Sequence, residues 1–136
     1  MSESKIDQYK QIHAAHKYGD TSIKNLRYLR PQVQILKPKT IIDFGCGRSK
    51  LIDVLCNSVG AQGTRYDPAI PEYSKQPAGK HDLLINVDVL EHVPVNQLDD
   101  VVGQMASLCE EAIIVIDTRE AKAILPNGEN AHCTVR

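Results

Sequence analysis

The stretch Ile41-Ile42-Asp43-Phe44-Gly45-Cys46-Gly47-Arg48-Ser49 constrains this chain more than any other. Two β-branched residues followed by Asp-Phe read as the end of a buried strand, Gly-Cys-Gly as a tight turn, and Lys50 to Leu55 as the helix that follows. A strand, a glycine turn and a helix N-terminus place several backbone N–H groups around one small space. A side chain at either glycine would hold a ligand off that backbone. The dinucleotide fingerprint G-x-G-x-x-G needs a third glycine at position 50, which is Lys50. What this chain has is an acid two residues before the first glycine: Asp43-x-Gly45-x-Gly47.

That unit belongs to one domain, because 136 residues suffice for a real core but are few for a complete doubly wound sheet. A net charge of −1 creates no overall field for nucleic acid or an anionic membrane. The N-terminal Met1-Ser2-Glu3-Ser4-Lys5 has no apolar core of the signal-peptide kind, and no apolar run reaches the length of a membrane span. Cys46, Cys56, Cys109 and Cys133 show no CxxC pairing, so free thiols in a reducing cytoplasm are expected.

Taken in order, Ser4 to Lys17 is helix-compatible and Tyr18-Gly19 breaks it. Asp20 or Thr21 can cap a second helix, with Pro31 as a kink or restart and Val33, Ile35 and Leu36 on its apolar face. After the first helix of the core, a short strand at Thr64-Arg65-Tyr66 ends in Asp67-Pro68. Asp67 stands about 20 residues past the glycine turn, where an acid at a strand tip accepts from both ribose hydroxyls. Its plainer reading is a strand terminator. Residues 69–80 are too few for a further helix and strand, so this edge of the sheet is expected to be pruned. His81 to Asp88 reads as a central strand running into Val89-Leu90-Glu91-His92-Val93-Pro94. Pro94 or Asn96 then opens a helix with Leu98, Val101, Val102, Met105 and Leu108 as its buried stripe, and Ala112 to Asp117 is the last strand. Ala121 to Leu125 reads as one further helical turn.

Asp43-x-Gly45-x-Gly47 resembles the first motif of class I S-adenosylmethionine-dependent methyltransferases. Asp88-Val-Leu-Glu-His-Val-Pro94 resembles the signature after the fourth strand in many small-molecule and RNA O-methyltransferases of that class. With Asp67 between them, the likeness covers roughly residues 18 to 120. Ser49 stands where the family's third glycine usually falls. Phage-type methyltransferase-like reading frames are also similar, through Tyr18-Gly19, Tyr66-Asp67-Pro68-Ala69 and Asn130-Ala131-His132. The resemblance implies an α/β, Rossmann-like fold over a single domain 1–136, with N-terminal helices at 1–37 and a core at 38–120. The parallel sheet is reduced and the C-terminal antiparallel hairpin absent. It also implies S-adenosylmethionine as cofactor, lying against Tyr18, Asp43, Gly45, Cys46, Gly47, Asp67, Pro68, Asp88 and Val89. The Asn/Asp-Pro-Pro-Tyr motif of amino-methylating DNA enzymes is absent, so no DNA substrate is expected.

The acceptor implied is a small molecule or an RNA ribose hydroxyl, with His92 and Glu91 as the catalytic candidates. In RNA 3′-terminal ribose methyltransferases and ubiquinone-pathway O-methyltransferases, a related cluster holds a divalent metal ion. By that resemblance the ligands here are Asp88, Glu91, His92 and His132, with Asp88 in place of the family's usual Glu. The alternatives are a metal-free His92 base, or a structural role in which Glu91 caps a turn and His92 packs beneath the substrate. A chain without the closing hairpin can also be a non-catalytic binding module. The bare last strand, rich in Ile113, Ile114, Val115 and Ile116, is expected to be covered by residues 132–135 or by a second subunit in a homodimer.

Overall fold

A computed structural model describes residues 20–119 and Pro126. Four strands form one parallel sheet in the order β2-β1-β3-β4: β1 Thr40–Phe44, β2 Gln62–Tyr66, β3 His81–Val87 and β4 Cys109–Val115. Three α-helices accompany them: α1 Leu26–Leu36, α2 Leu51–Val59 and α3 Leu98–Ser107. This is the reduced Rossmann-like sheet expected. Residues 69–80 contain only a 3-10 turn, Pro71–Tyr73, where a longer fold would insert a helix and a strand.

Alternation along the central strands sorts their side chains to two faces. Ile41, Leu83, Ile85 and Val87 pack with Leu29 and Val33 of α1 and with Leu51, Ile52 and Leu55 of α2. Ile42, Phe44 and Leu84 pack on the other face with Tyr66 and with Met105 and Leu108. Complete burial of each Leu or Ile contributes roughly 1.5–3 kcal/mol, which explains why β1 and β3 read as near-continuous apolar runs. β2 fits tightly against α2: a Cβ at Gly63 would stand 2.9 Å from Cys56 Sγ and 3.0 Å from Ile52 Cγ1.

Several local expectations are corrected. Asp20–Asn25 forms a 3-10 helix, and α1 begins only at Leu26, preceded by Asn25 without a side-chain cap. Pro31 lies inside α1, which runs on to Leu36 and stops at Lys37 in the left-handed region. Only Leu29 and Val33 of α1 are buried, while Ile35 is 79% exposed. Val102 of the expected α3 stripe likewise faces outward. β2 starts two residues earlier than expected, at Gln62. β4 spans Cys109–Val115 rather than 112–117, because an edge strand tolerates Glu110 and Glu111 on its exposed positions. Among the described residues β4 pairs only with β3, and no antiparallel strand occurs. The helical turn expected at 121–125 and the tail expected to cover β4 lie outside the described residues.

Candidate functional site

Both sequence motifs arrive at the C-terminal ends of the strands, where open α/β sheets bind ligands. At the first corner, the N–H groups of Gly45 and Cys46 both donate to the Tyr66 carbonyl, at 2.7 and 3.1 Å. The next N–H, of Gly47, donates to Asp67 Oδ2 at 2.9 Å. The open cradle of N–H groups expected from the glycine turn is therefore corrected. These three donors tie the turn to the tip of β2 and are not presented to an anion such as a pyrophosphate. The turn ends where Ser49 Oγ accepts the N–H of Leu51, the first residue of α2. This satisfies one of the donors that a helix N-terminus leaves over.

Asp67 is placed by its own loop. Oδ1 accepts the Ala69 N–H at 2.9 Å, while the Asp67 N–H donates to the Tyr73 carbonyl at 2.9 Å. Each carboxylate oxygen thus takes one backbone donor, and an ionised carboxylate has about four acceptor positions in all. Capacity for two hydroxyls remains. Pro68 follows directly in the same loop, half-buried.

Asp43 is 2% exposed and makes no hydrogen bond among the described residues; its Oδ2 is sealed from solvent. Burial is the main cause that lifts its carboxyl to about 7, with Arg65 opposing and Asp67 reinforcing the rise. Arg65 is engaged elsewhere, in an ion pair with Asp53 of α2. Burial, and then Asp43 and Asp67, push the Cys46 thiol up, so it is an uncharged lining group rather than a nucleophile.

At the second corner, Asp88 adopts a left-handed conformation (φ 56°) and its N–H donates to the Val115 carbonyl at 2.8 Å. This sharp exit from β3 brings Val89 back over the glycine turn. A Cβ built on Gly45 would lie 2.4 Å from Val89 Cγ2, and Gly45 itself sits at φ 79°. The two motifs, separated by more than forty positions, therefore meet at Gly45 and Val89. Glu91 is fully buried, and its Oε2 accepts the Asp117 N–H at 2.9 Å. His92 Nε2 stands 3.8 Å from Glu91 Oε1, and the His92 side chain is 13% exposed.

Sequence reading did not single out Asn86. Fully buried in β3, it donates from Nδ2 to the Phe44 carbonyl at 2.7 Å and joins the tips of β1 and β3. The available signal was one amide inside the apolar run Leu83-Leu84-Ile85-Asn86-Val87. A shallow depression lined by Leu36, Lys37, Asp82 and Glu110 lies at the opposite ends of the strands, remote from both motifs. Tyr18 and His132 fall outside the described residues. Among those described, no three His, Cys, Asp or Glu side chains are grouped to hold a metal ion.

A family model described as a methyltransferase domain matches residues 13–132. The chain belongs to the class I S-adenosylmethionine-dependent methyltransferase family. No curated protein and no solved structure matches it. Membership implies S-adenosylmethionine as the cofactor, and the residues of this methyltransferase domain fit that group. Asp67 keeps acceptor capacity suited to a diol, Asp43 offers a buried carboxyl with no hydrogen bond among the described residues, and Gly45 keeps the space against Val89 free of a side chain. Among the described residues no helix is long and apolar enough to cross a membrane.

Proposed function

We propose that this methyltransferase domain transfers a methyl group from S-adenosylmethionine to a hydroxyl of a small molecule or an RNA ribose, with His92 taking the proton. The observation that carries this reading is the convergence of the two motifs, with Val89 of the second seated against Gly45 of the first. When bound, the cofactor supplies an electrophilic methyl group on a sulfonium. The protein's task is then to place an acceptor in line with it and to remove one proton. Asp67 would hold the ribose, while Asp43 and the Gly45–Gly47 turn, with Cys46 lining it, would hold the amino-acid end. Pro68, Asp88 and Val89 would border the same space, and Tyr18, outside the described residues, is a further cofactor contact by the resemblance alone.

His92 suits the base because its ring, mostly buried yet still reaching the surface, sits 3.8 Å from Glu91 Oε1, which can orient it. Glu91 suits a positioning role better than a ligand or base role, since its Oε2 already fixes the Asp117 N–H. A metal held by Asp88, Glu91, His92 and His132 remains the competing reading of this corner. Incubation with cofactor labelled in the methyl group, RNA and a set of phenols is the test. We expect label on an acceptor, unaffected by a chelator and lost in His92→Ala. Chelator-sensitive transfer would replace the base with the metal, and full activity in His92→Ala would remove both. A second reading, a non-catalytic cofactor-binding module, would show saturable cofactor binding with no label on any acceptor.

A further inference from the structure

We infer that capture of the cofactor's amino-acid end is coupled to loss of one proton from Asp43, an inference that rests on the cofactor binding proposed above. Asp43 is sealed between the sheet and the α1/α2 face and has no hydrogen bond from the described residues. Among the groups facing it only Arg65 favours an anion, and burial outweighs that. From β2, the Arg65 guanidinium is drawn away to Asp53 of α2. From the loop after β2, Asp67 brings a second carboxylate, and from the turn, Cys46 brings an uncharged thiol. The same face of the sheet carries the apolar core of Leu29, Val33 and Ile85, and Ile85 is the register partner of Asp43 on β3.

An unpaired carboxylate in such surroundings is disfavoured, so below about pH 7 the free protein holds mostly the neutral acid. An ammonium group reverses the balance, because it supplies both opposite charge and N–H donors. The carboxylic O–H bond breaks and its electron pair stays on oxygen. The carboxylate pairs with the ammonium, and the proton leaves to solvent. Nothing is oxidised or reduced. Both S-adenosylmethionine and S-adenosylhomocysteine carry this ammonium, whereas 5′-methylthioadenosine keeps the nucleoside and lacks the amino-acid end.

Calorimetry on the full chain in two buffers of different ionisation enthalpy counts the proton directly. With a carboxyl titrating at about 7, S-adenosylhomocysteine at pH 6 should release about 0.9 proton per site and bind about fivefold more weakly than at pH 7. The ligand's own amino group, ordinarily near 7.7–8.0, stays charged over that range. 5′-Methylthioadenosine should bind with no release. Asp43→Asn copies the shape of the neutral acid; it should bind S-adenosylhomocysteine without release and with equal affinity at the two pH values. Binding of S-adenosylhomocysteine with less than about 0.2 proton released overturns the coupling and leaves the binding site intact. Release that persists in Asp43→Asn, or that accompanies 5′-methylthioadenosine, overturns it as well by placing the proton elsewhere. Absence of heat with both ligands removes the binding reading itself, and the coupling with it.

Discussion

The two corners of this strand end divide their polar groups in opposite ways. At the β1–β2 corner the backbone donors of Gly45, Cys46 and Gly47 are consumed within the protein, and the Asp43 carboxyl has no hydrogen bond among the described residues. At the β3–β4 corner the buried carboxylate of Glu91 is itself consumed, holding the chain where it leaves β4. One corner is tied together by its own hydrogen bonds around an acceptor with no donor among the described residues. The other spends its acid on architecture and leaves an imidazole nearby. On the proposed function, binding and proton transfer would be separated along the sheet, with the contact of Val89 against Gly45 joining the two corners.

The largest effect is expected where the corners touch. Gly45→Val would place a Cβ 2.4 Å from Val89 Cγ2 at a φ of 79°, and the left-handed backbone alone costs roughly 1–2 kcal/mol for an L-residue. Cofactor affinity should fall at least about a hundredfold, equivalent to about 2.7 kcal/mol, and urea denaturation should show a clear loss of stability. Adding Val89→Ala should return the steric part of that loss and leave the backbone part. Wild-type binding in Gly45→Val would break the comparison, because the corners would then be independent.

Asp43 sharpens the first half of the contrast through stability. Its carboxyl titrates near 7 when folded against an ordinary 3.8, so between those values the folded state binds the extra proton. The stability of the free protein should therefore be fullest below about pH 4, fall as pH rises towards 7, and level off above. The cost is of the order of a few kcal/mol at pH 8, since each tenfold gain in proton affinity on folding corresponds to about 1.4 kcal/mol. Asp43→Asn should be more stable than the wild type at pH 8, with the advantage vanishing near pH 4. Denaturant midpoints across that range measure it. A flat difference between the two proteins would mean that an unseen partner satisfies the carboxyl in the free state.

Much of the first corner was legible because it is short-range. An acid, two glycines and a second acid at a strand tip specify their geometry within a few residues of each strand end. The departure from the family pattern at Ser49 also has a local reason, since its hydroxyl caps the first N–H of α2. What the chain pattern concealed was tertiary. Asn86 reads as one more strand residue until its amide is seen holding the Phe44 carbonyl. Ile35 and Val102 fit an apolar stripe by spacing, yet each stands on the flank of a helix with no sheet beneath it. The length of β4 was hidden because Glu110 and Glu111 break the apolar run on a strand that is half-exposed. For Glu91 a turn-capping role was legible, but not which turn, because the N–H it accepts, that of Asp117, lies 26 positions away.

Glu91 therefore gives the smallest effect and the one most diagnostic of the second corner. Glu91→Ala leaves the Asp117 N–H without its acceptor in a part-buried place, at a cost of about 1–3 kcal/mol in a denaturation midpoint. Glu91→Gln keeps a side-chain carbonyl of the same length. It should stay within about 1 kcal/mol of the wild type, because a neutral amide oxygen still accepts the bond while the charge beside His92 is lost. That lost charge should show only in methyl transfer, as a reduced rate, since the His92 ring no longer has a carboxylate 3.8 Å away. The glutamine variant thus separates three roles that the alanine variant merges. A stable protein with slowed but measurable transfer identifies Glu91 as a residue that positions His92. A stable protein with no transfer at any pH makes Glu91 a direct base or a metal ligand, and the division of labour between the corners fails. An unstable Glu91→Gln would instead require the buried charge itself to hold the β4 exit in place.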